Sequence, residues 1–377
     1  MSGATDRAVG VVGASGAVGR AAARRLRALG RTRLLLGGRR TAPLEELAAE
    51  LGPGTAVRAV DADSPESLRA FCSGLDVVLN CAGPSYRIAD AVAVEALAAG
   101  ADYVDVTGDG PAHDRLSRTP AARDHAIVLS AGVLPGLSAL LPRWFAARHG
   151  LERMSAHAGG LERCTEAAAG DLLLSLPGAD DPAAVFGVPL AAWREGRVVE
   201  RALRAADGVR PPGFPGTAFV QPFLTEEARR LAADLGLREL EWYNVHPGER
   251  VRAVLTSVAG RPVGDTAAAA ERLRRAAEVD LAGRTPYYQL VYALTGPSGR
   301  RSVMTARFSD SYRMTGRVGA QAADAVARGL VPRGLHHAAD VLDPEAAVAA
   351  LFDDPEAATL RVEDAASEDA GVEEGAL

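Results

Sequence analysis

The stretch VGVVGASGAVG, residues 9–19, decides how the first part of this chain folds. A short apolar run leads directly into a G-x-x-G-x-x-G turn, and an amphipathic, Ala- and Arg-rich segment follows. In such a turn the first glycine permits a sharp bend, the second lets backbone amides approach a diphosphate, and the third lets the helix pack closely on the strand. We therefore predict a dinucleotide-binding turn rather than a purely structural one. The residues predicted to contact the cofactor here are Gly13, Ala14, Ser15, Gly16, Ala17, Val18 and Gly19.

Strands and helices alternate through the first 130 residues. The strands are apolar on both faces and the helices end at glycines, which predicts parallel pairing with right-handed crossovers. The fold class is therefore α/β, with a Rossmann-type doubly wound parallel sheet. The predicted strands are residues 8–12, 33–36, 56–60, 76–81, 103–107 and 127–130, and the predicted helices are 17–29, 65–74 and 88–99.

The end of the second strand indicates which dinucleotide is bound. An NAD site places an acidic residue there for the ribose 2′-hydroxyl, whereas an NADP site carries arginine for the 2′-phosphate. The sequence LLLGGRR ends in Arg39 and Arg40, and no acidic residue occurs between Asp6 and Glu45. We predict NADP(H) as the cofactor, with both guanidinium groups on the phosphate; the alternative is a solvated loop.

Further cofactor contacts are expected after strands three to five, because ligands of doubly wound sheets bind at the carboxyl ends of the strands. Asp61 follows strand three, a polar and glycine-containing turn follows strand four, and Thr107 and Gly108 follow strand five. The predicted contacts in the strand-four turn are Asn80, Cys81, Ala82, Gly83 and Pro84.

Composition excludes several classes of protein. All 42 basic residues are arginine, against 48 acidic residues, so no P-loop lysine, pyridoxal Schiff base or Tyr/Lys proton relay is available. Residues 353–377 carry nine acids and one arginine, which leaves a net charge of +2 on the rest, too small for a nucleic-acid surface. Three scattered cysteines predict no metal site. Without a signal-peptide pattern or a long apolar run, we expect a cytoplasmic protein with no membrane partner.

The pattern changes beyond about residue 151, where short strands of antiparallel style predict a second, α+β domain for the substrate. We divide the chain into a Rossmann domain (1–135), a substrate domain (136–316), a helical segment (317–352) and an acidic disordered tail (353–377). The second domain is expected to offer a dimer surface, so a homodimer is predicted, and the Pro/Gly-rich loop 211–216 is interpreted as a lid. Its predicted strands are 153–158, 198–202, 251–258 and the hairpin 287–295/301–308, and its predicted helices are 225–235, 266–279 and 318–330.

Five ordered motifs together resemble the saccharopine dehydrogenase-like (saccharopine reductase-like) NADP-binding oxidoreductases: GASGAVG, LLLGGRR, VVLNCAGP, YVDVTGD and GVLPG. The resemblance covers about residues 9–141. It implies a substrate domain inserted after the Rossmann domain, a last helical stretch that returns to the first domain, and cofactor contacts from the glycine turn, the two arginines and the strand-four turn. Family members reduce imines to secondary amines, and some relatives reduce enoyl groups on polyketide-like lipids. Asp109 stands where an acid with a longer side chain is usual.

The proton donor for such a reduction has four candidates in the sequence. Tyr86 follows the strand-four turn, and Asp109 follows strand five; their alternatives are a packed aromatic residue and a helix N-cap. Tyr243 and His246 belong to the densest polar and aromatic cluster of the second domain, and histidine titrates nearest neutral pH. Loop histidines are nevertheless more often satisfied structurally than catalytic.

Two functions of different class follow from these residues. The first is an NADPH-dependent reductase that transfers hydride to a C=N, C=O or activated C=C bond of a small metabolite or carrier-bound intermediate. The second is a non-catalytic NADP(H)-binding regulator or scaffold. A second domain with a long loop and a hairpin indicates a built pocket, which favours the enzyme.

Overall fold

The computed structural model describes residues 6–108, 110–174, 186–258 and 266–364. Among these residues, seven parallel strands form the first sheet. They are β1 (Val9–Val12), β2 (Leu34–Gly38), β3 (Thr55–Ala59), β4 (Val77–Asn80), β5 (Asp102–Asp105), β6 (Ala126–Leu129) and β16 (Gly334–His337). Their order is β16-β6-β5-β4-β1-β2-β3, so the strand order reverses beside β1. The predicted Rossmann-type sheet is confirmed.

Helices cover both faces of this sheet, as the crossovers require. They are α1 (Ala17–Ala28), α2 (Ala42–Leu51), α3 (Pro65–Cys72), α4 (Ser85–Ile88), α5 (Ala91–Ala98), α6 (Gly110–Leu116) and α7 (Leu137–His149), with a 3-10 turn at Pro120–Arg123. The single helix predicted over 88–99 is wrong, because Ala89 adopts a φ of +46° and separates α4 from α5.

A second, mixed sheet follows. Its strands are β7 (Arg153–Leu161), β8 (Gly187–Pro189), β9 (Ala192–Arg194), β10 (Arg197–Val199), β11 (Ala206–Val209), β12 (Ala218–Thr225), β13 (Glu239–His246), β14 (Tyr287–Thr295), β15 (Arg301–Phe308) and β17 (Ala358–Asp364). The order β9-β13-β7-β14-β15-β17 is antiparallel except for β13 and β7, and β12 also pairs with β13. The hairpin of β14 and β15 forms as predicted, whereas the strand predicted over 198–202 ends at Val199.

The remaining helices are α8 (Glu166–Leu174), α9 (Glu226–Asp234), α10 (Glu249–Val258), α11 (Thr266–Leu281), α12 (Ser311–Ala327), α13 (Ala338–Val341) and α14 (Pro344–Leu351). The strand predicted over 251–258 is wrong, since these residues form α10. Its apolar residues Val251, Val254, Leu255 and Val258 recur at helical spacing, and the Asp280 carboxylate accepts hydrogen bonds from the first backbone amides of the helix.

The C-terminal part of the chain returns to the first sheet and then joins the second. A Cβ on Gly316 of α12 would lie 2.4 Å from the Val18 carbonyl oxygen, so α12 crosses α1 in close backbone contact. Strand β16 then pairs in parallel with β6. Residues 358–364, predicted to be part of a disordered tail, instead pair with β15 as β17, because that sheet edge offers free backbone groups and Arg300 binds the Asp364 carboxylate at 2.7 Å. Residues 365–377 lie outside the described part.

The two sheets share one core. A continuous cluster of buried apolar side chains includes Val9 and Leu36 of the first sheet and Trp242 and Tyr292 of the second. Because close-packed interiors resist deformation, this core fixes the cleft between the sheets.

Candidate functional site

The glycine turn after β1 has the close packing that its spacing predicts. Gly13 adopts a φ of +79°, and a Cβ on Gly19 would lie only 2.3 Å from the Gly13 carbonyl oxygen. Helix α1 begins directly after Gly16, with neither a side-chain cap nor an acidic residue in its first turn. Its first amides and the positive end of its dipole therefore suit a diphosphate.

Arg39 and Arg40 lie exposed directly after β2. Among the described residues, neither guanidinium group has a hydrogen-bond or ion-pair partner. Nearby Arg20, in contrast, donates to the carbonyl oxygens of Ser15 and Pro43. Two unpaired cations at this strand end fit a phosphate on the adenosine ribose. The exposed Asp61 follows β3, and its carboxylate accepts from the Asp63 amide at 3.1 Å.

A buried carboxylate holds the turns after β4 and β5 together. Asp105, which is 2% exposed, accepts hydrogen bonds from Asn80 Nδ2 at 3.0 Å, from the Tyr103 hydroxyl, and from the amide and hydroxyl of Thr107. Asn80 Oδ1 in turn accepts from the Ala82 amide. Asp105 was missed by the sequence reasoning, although it lies inside the quoted YVDVTGD motif. Its role is to fix the geometry of both turns.

A cleft of about 830 Å³ extends from these turns to the second sheet. Other parts of its wall come from the β7–α8 connection, from α6, α8, α9, α10 and α11, from residues 133–135, and from the N-terminal turn of α12. The predicted cofactor residues that line it are Val18, Asn80, Cys81, Ala82, Gly83, Thr107 and Gly108. The other members of the predicted set lie outside its lining, with Gly13 and Gly19 directly beneath the turn and Pro84 at the start of α4.

Of the four predicted proton donors, the structure describes the side chains of Tyr243 and His246, and it does not place both of them in the cleft. The backbone of Tyr86 lies in α4, its side chain is outside the described part, and Asp109 is outside the described residues altogether. Tyr243 does not line the cleft; its ring stacks on His157, and its hydroxyl donates to Glu241 at 2.7 Å. His246 does line the cleft.

His246 is poorly suited to donate a proton at physiological pH. Its Nε2 is buried without a partner among the described residues, and burial lowers the pKa of the imidazole to about 4. It is therefore neutral at physiological pH and can offer at most one N–H donor.

Besides Asp105, two further carboxyl groups that the sequence reasoning missed line the cleft. Glu227 of α9 accepts from the Gly136 amide at 2.6 Å and from the Ser138 hydroxyl. Glu162, just beyond β7, accepts from the amide and hydroxyl of Ser311, and burial raises the pKa of its carboxyl to about 7. The only sequence signal for Glu162 would have been a longer strand, since the predicted one ends at residue 158.

The predicted lid does not cover this cleft. No residue of 211–216 lines it; Phe214 packs against Val245 and Val291, and the Gly213 carbonyl oxygen accepts from Gln289. In the part of the chain that the structure describes, no His, Cys, Asp and Glu side chains are grouped as a metal site would require. No helix there has both the length and the apolar character to span a bilayer.

Comparison with known proteins agrees with this geometry. Residues 9–130 match the family model of the saccharopine dehydrogenase NADP binding domain. The fold is similar to apo saccharopine dehydrogenase (L-Glu forming) from Saccharomyces cerevisiae, with a TM-score of 0.64 and 15% identity over 96% of this chain and 100% of that chain. A probable dehydrogenase from Thermotoga maritima has a TM-score of 0.48 and 11% identity over 94% of this chain and 98% of that one.

The comparison with curated proteins finds no match. The likeness to the yeast enzyme shows the fold, and the family model identifies the cofactor domain. The predicted NADP(H) cofactor and the predicted resemblance are both confirmed. Residues 9–130 thus resemble a saccharopine dehydrogenase NADP binding domain.

Proposed function

We propose that this protein is an NADPH-dependent reductase that acts in the cleft between its two sheets on a C=N, C=O or activated C=C bond. One observation carries the proposal: a single cleft of about 830 Å³ joins the carboxyl ends of β4 and β5 to buried acidic side chains of the second domain. Cofactor and substrate sites of doubly wound folds meet at such strand ends.

The residues of the chain have separate tasks in this proposal. The amides of α1 bind the diphosphate, and Arg39 and Arg40 bind the ribose phosphate. Asp105 and Asn80 hold the two turns that would support the nicotinamide end of the cofactor. When bound, NADPH supplies the hydride, and the protein supplies orientation and a proton.

The wall opposite the turns is apolar. It includes Leu172 of α8, Val251 of α10 and Leu273 of α11, which belong to one hydrophobic cluster. Such a wall excludes water from a reacting centre and favours a substrate with an apolar body. A small metabolite and a carrier-bound intermediate both remain substrate candidates.

A panel of imines, ketones and enoyl compounds tests the proposal by the loss of NADPH absorbance. Turnover with any member supports a reductase, and the variant R39A/R40A should then show a raised KM for NADPH. If NADPH binds tightly but no member of the panel oxidises it, the non-catalytic regulator becomes the better explanation.

Three further properties remain predictions of the sequence. These are the homodimer, the cytoplasmic location and the absence of nucleic-acid or membrane partners. The catalytic roles of Tyr86, Asp109, Tyr243 and His246 also remain proposals, and Tyr243 is disfavoured because it does not line the cleft.

A further inference from the structure

Glu162 lies where the second domain meets the cofactor turn. It follows β7 directly, and the connection from Glu162 to Thr165 leads into α8. At the start of that helix, Ala167 comes so near the strand-four turn that a Cβ on Gly83 would lie 3.0 Å from the Ala167 Cβ. The carboxyl group thus lines the cleft beside the turn that carries the predicted cofactor contacts.

The surroundings of Glu162 are polar but contain no paired cation. Ser311 donates its amide at 3.1 Å and its hydroxyl at 2.6 Å to the two carboxyl oxygens. Among the described residues, no arginine forms an ion pair with Glu162. The titratable groups that face it are Tyr288 of β14, Tyr312 of α12, Asp310 at the N-cap of α12, and Cys164 of its own connection.

Placed this way, the carboxyl group is protonated in about half of the molecules at neutral pH. Burial raises its pKa to about 7, Asp310 adds to that effect, and the two Ser311 hydrogen bonds oppose it. A proton donor works best when its pKa is near the working pH.

We propose that Glu162 is the proton donor of the reduction carried out in this cleft. The inference rests on the proposed function, because it assigns a role within that reaction.

As hydride from the cofactor adds to the electrophilic carbon of the substrate, the π electron pair moves to the nitrogen, oxygen or α-carbon. Glu162 releases its proton to that atom and becomes a carboxylate. The Ser311 amide and hydroxyl then stabilise the new negative charge, and solvent returns the proton at the open end of the cleft.

The other acidic groups of the cleft are less suited to donate. Glu227 accepts hydrogen bonds from Gly136 and Ser138 at the start of α7, so its carboxylate is held by a different segment from the strand-four turn. The Tyr312 hydroxyl already donates to the Arg163 carbonyl oxygen at 3.0 Å, and burial raises its phenol pKa above the usual value. Its proton is therefore committed elsewhere.

The first test compares E162Q with the matched control E166Q. Glu166 is the same residue type four positions along, exposed and outside the cleft lining. With a substrate from the reductase panel, we expect kcat of E162Q to fall by about 10²- to 10⁴-fold. The kcat of E166Q, and the dissociation constants of both variants for NADPH, should stay within about twofold of wild type. Turnover of E162Q close to that of wild type overturns the assignment of Glu162 alone. A wild-type protein that binds NADPH but reduces no substrate overturns the reductase itself.

The second test needs neither substrate nor cofactor. Infrared difference spectra across a pH titration should show a carboxyl group that titrates near pH 7 in wild type and in E166Q, and that is missing in E162Q. Removing the Ser311 hydroxyl (S311A) takes away a bond that favours the carboxylate, so that titration should move to higher pH, and the alkaline limit of kcat should move with it. A carboxyl titration near pH 7 that persists in E162Q, or one that S311A leaves unmoved, overturns the proposal.

Discussion

Replacing Arg39 and Arg40 by alanine should separate NADPH binding from NADH binding. Both side chains are exposed, and their removal breaks no hydrogen bond or ion pair with the described residues. A hydrogen bond between charged groups contributes about 1.5–3 kcal/mol, and full exposure favours the lower value. Two such contacts amount to about 3 kcal/mol, or about a hundredfold in the dissociation constant for NADPH.

The measurement is a fluorescence titration of each variant with NADPH and with NADH at fixed ionic strength. NADH lacks the 2′-phosphate, so its dissociation constant should change by no more than about twofold, apart from the general loss of two charges. The matched control is R118A/R123A, which removes two exposed arginines without ion-pair partners in the described part of the chain. Equal losses for the two dinucleotides, or no loss for NADPH, would refute the assignment of these residues to the phosphate.

Three further predictions concern the cofactor turn, the buried carboxylate and the cleft histidine His246. Gly19→Ala should lower the free energy of unfolding in urea by about 1–3 kcal/mol and abolish tight NADPH binding, because its Cβ would meet backbone atoms. The control is Gly16→Ala, whose Cβ would lie 3.3 Å from the Gly13 carbonyl oxygen and which should unfold at nearly the wild-type urea concentration. Asp105→Asn should cost about 3 kcal/mol in the same assay, since it removes a charge that accepts four hydrogen bonds; an unchanged midpoint would argue against that network. Burial lowers the pKa of His246 in the folded protein to about 4, below the unfolded value of about 6.5. As the pH falls, the unfolded state therefore takes up the proton first. The free energy of unfolding that is present above pH 6.5 is lost as the pH falls toward 4. His246→Asn should therefore lose about 2 kcal/mol less than wild type between pH 7 and pH 5, and parallel pH profiles would contradict this.

Local patterns predicted the first sheet well. The six predicted strands of the first sheet all form. Five of them are largely buried on both faces and leave continuous apolar runs in the sequence, whereas the edge strand β3 is partly exposed. The second sheet was harder to predict. Residues 251–258 are rich in valine and were assigned to a strand, yet their apolar spacing and the Asp280 carboxylate at the helix start make them helical. Here tertiary packing outweighs β-propensity.

The proton donor was even harder to predict from local sequence patterns. Tyr243 and His246 stood out because they cluster in the sequence, but successive side chains of β13 point to opposite faces of the sheet, and only His246 reaches the cleft. Glu162 had no motif to mark it. Its place depends on β7 continuing to Leu161 and on α12 bringing Ser311 to the carboxyl group from 149 residues away.

The order of short-range signals alone determined the nucleotide fold, the glycine turn and the arginine pair that indicates NADP(H), since a strand, a tight turn and a helix start are contiguous in the chain. The substrate cleft, the path of the last strands and the candidate acid were decided only by tertiary structure. Their residues come from distant segments of the chain. The burial of each side chain and the alignment of its hydrogen bonds are set only when those segments pack together.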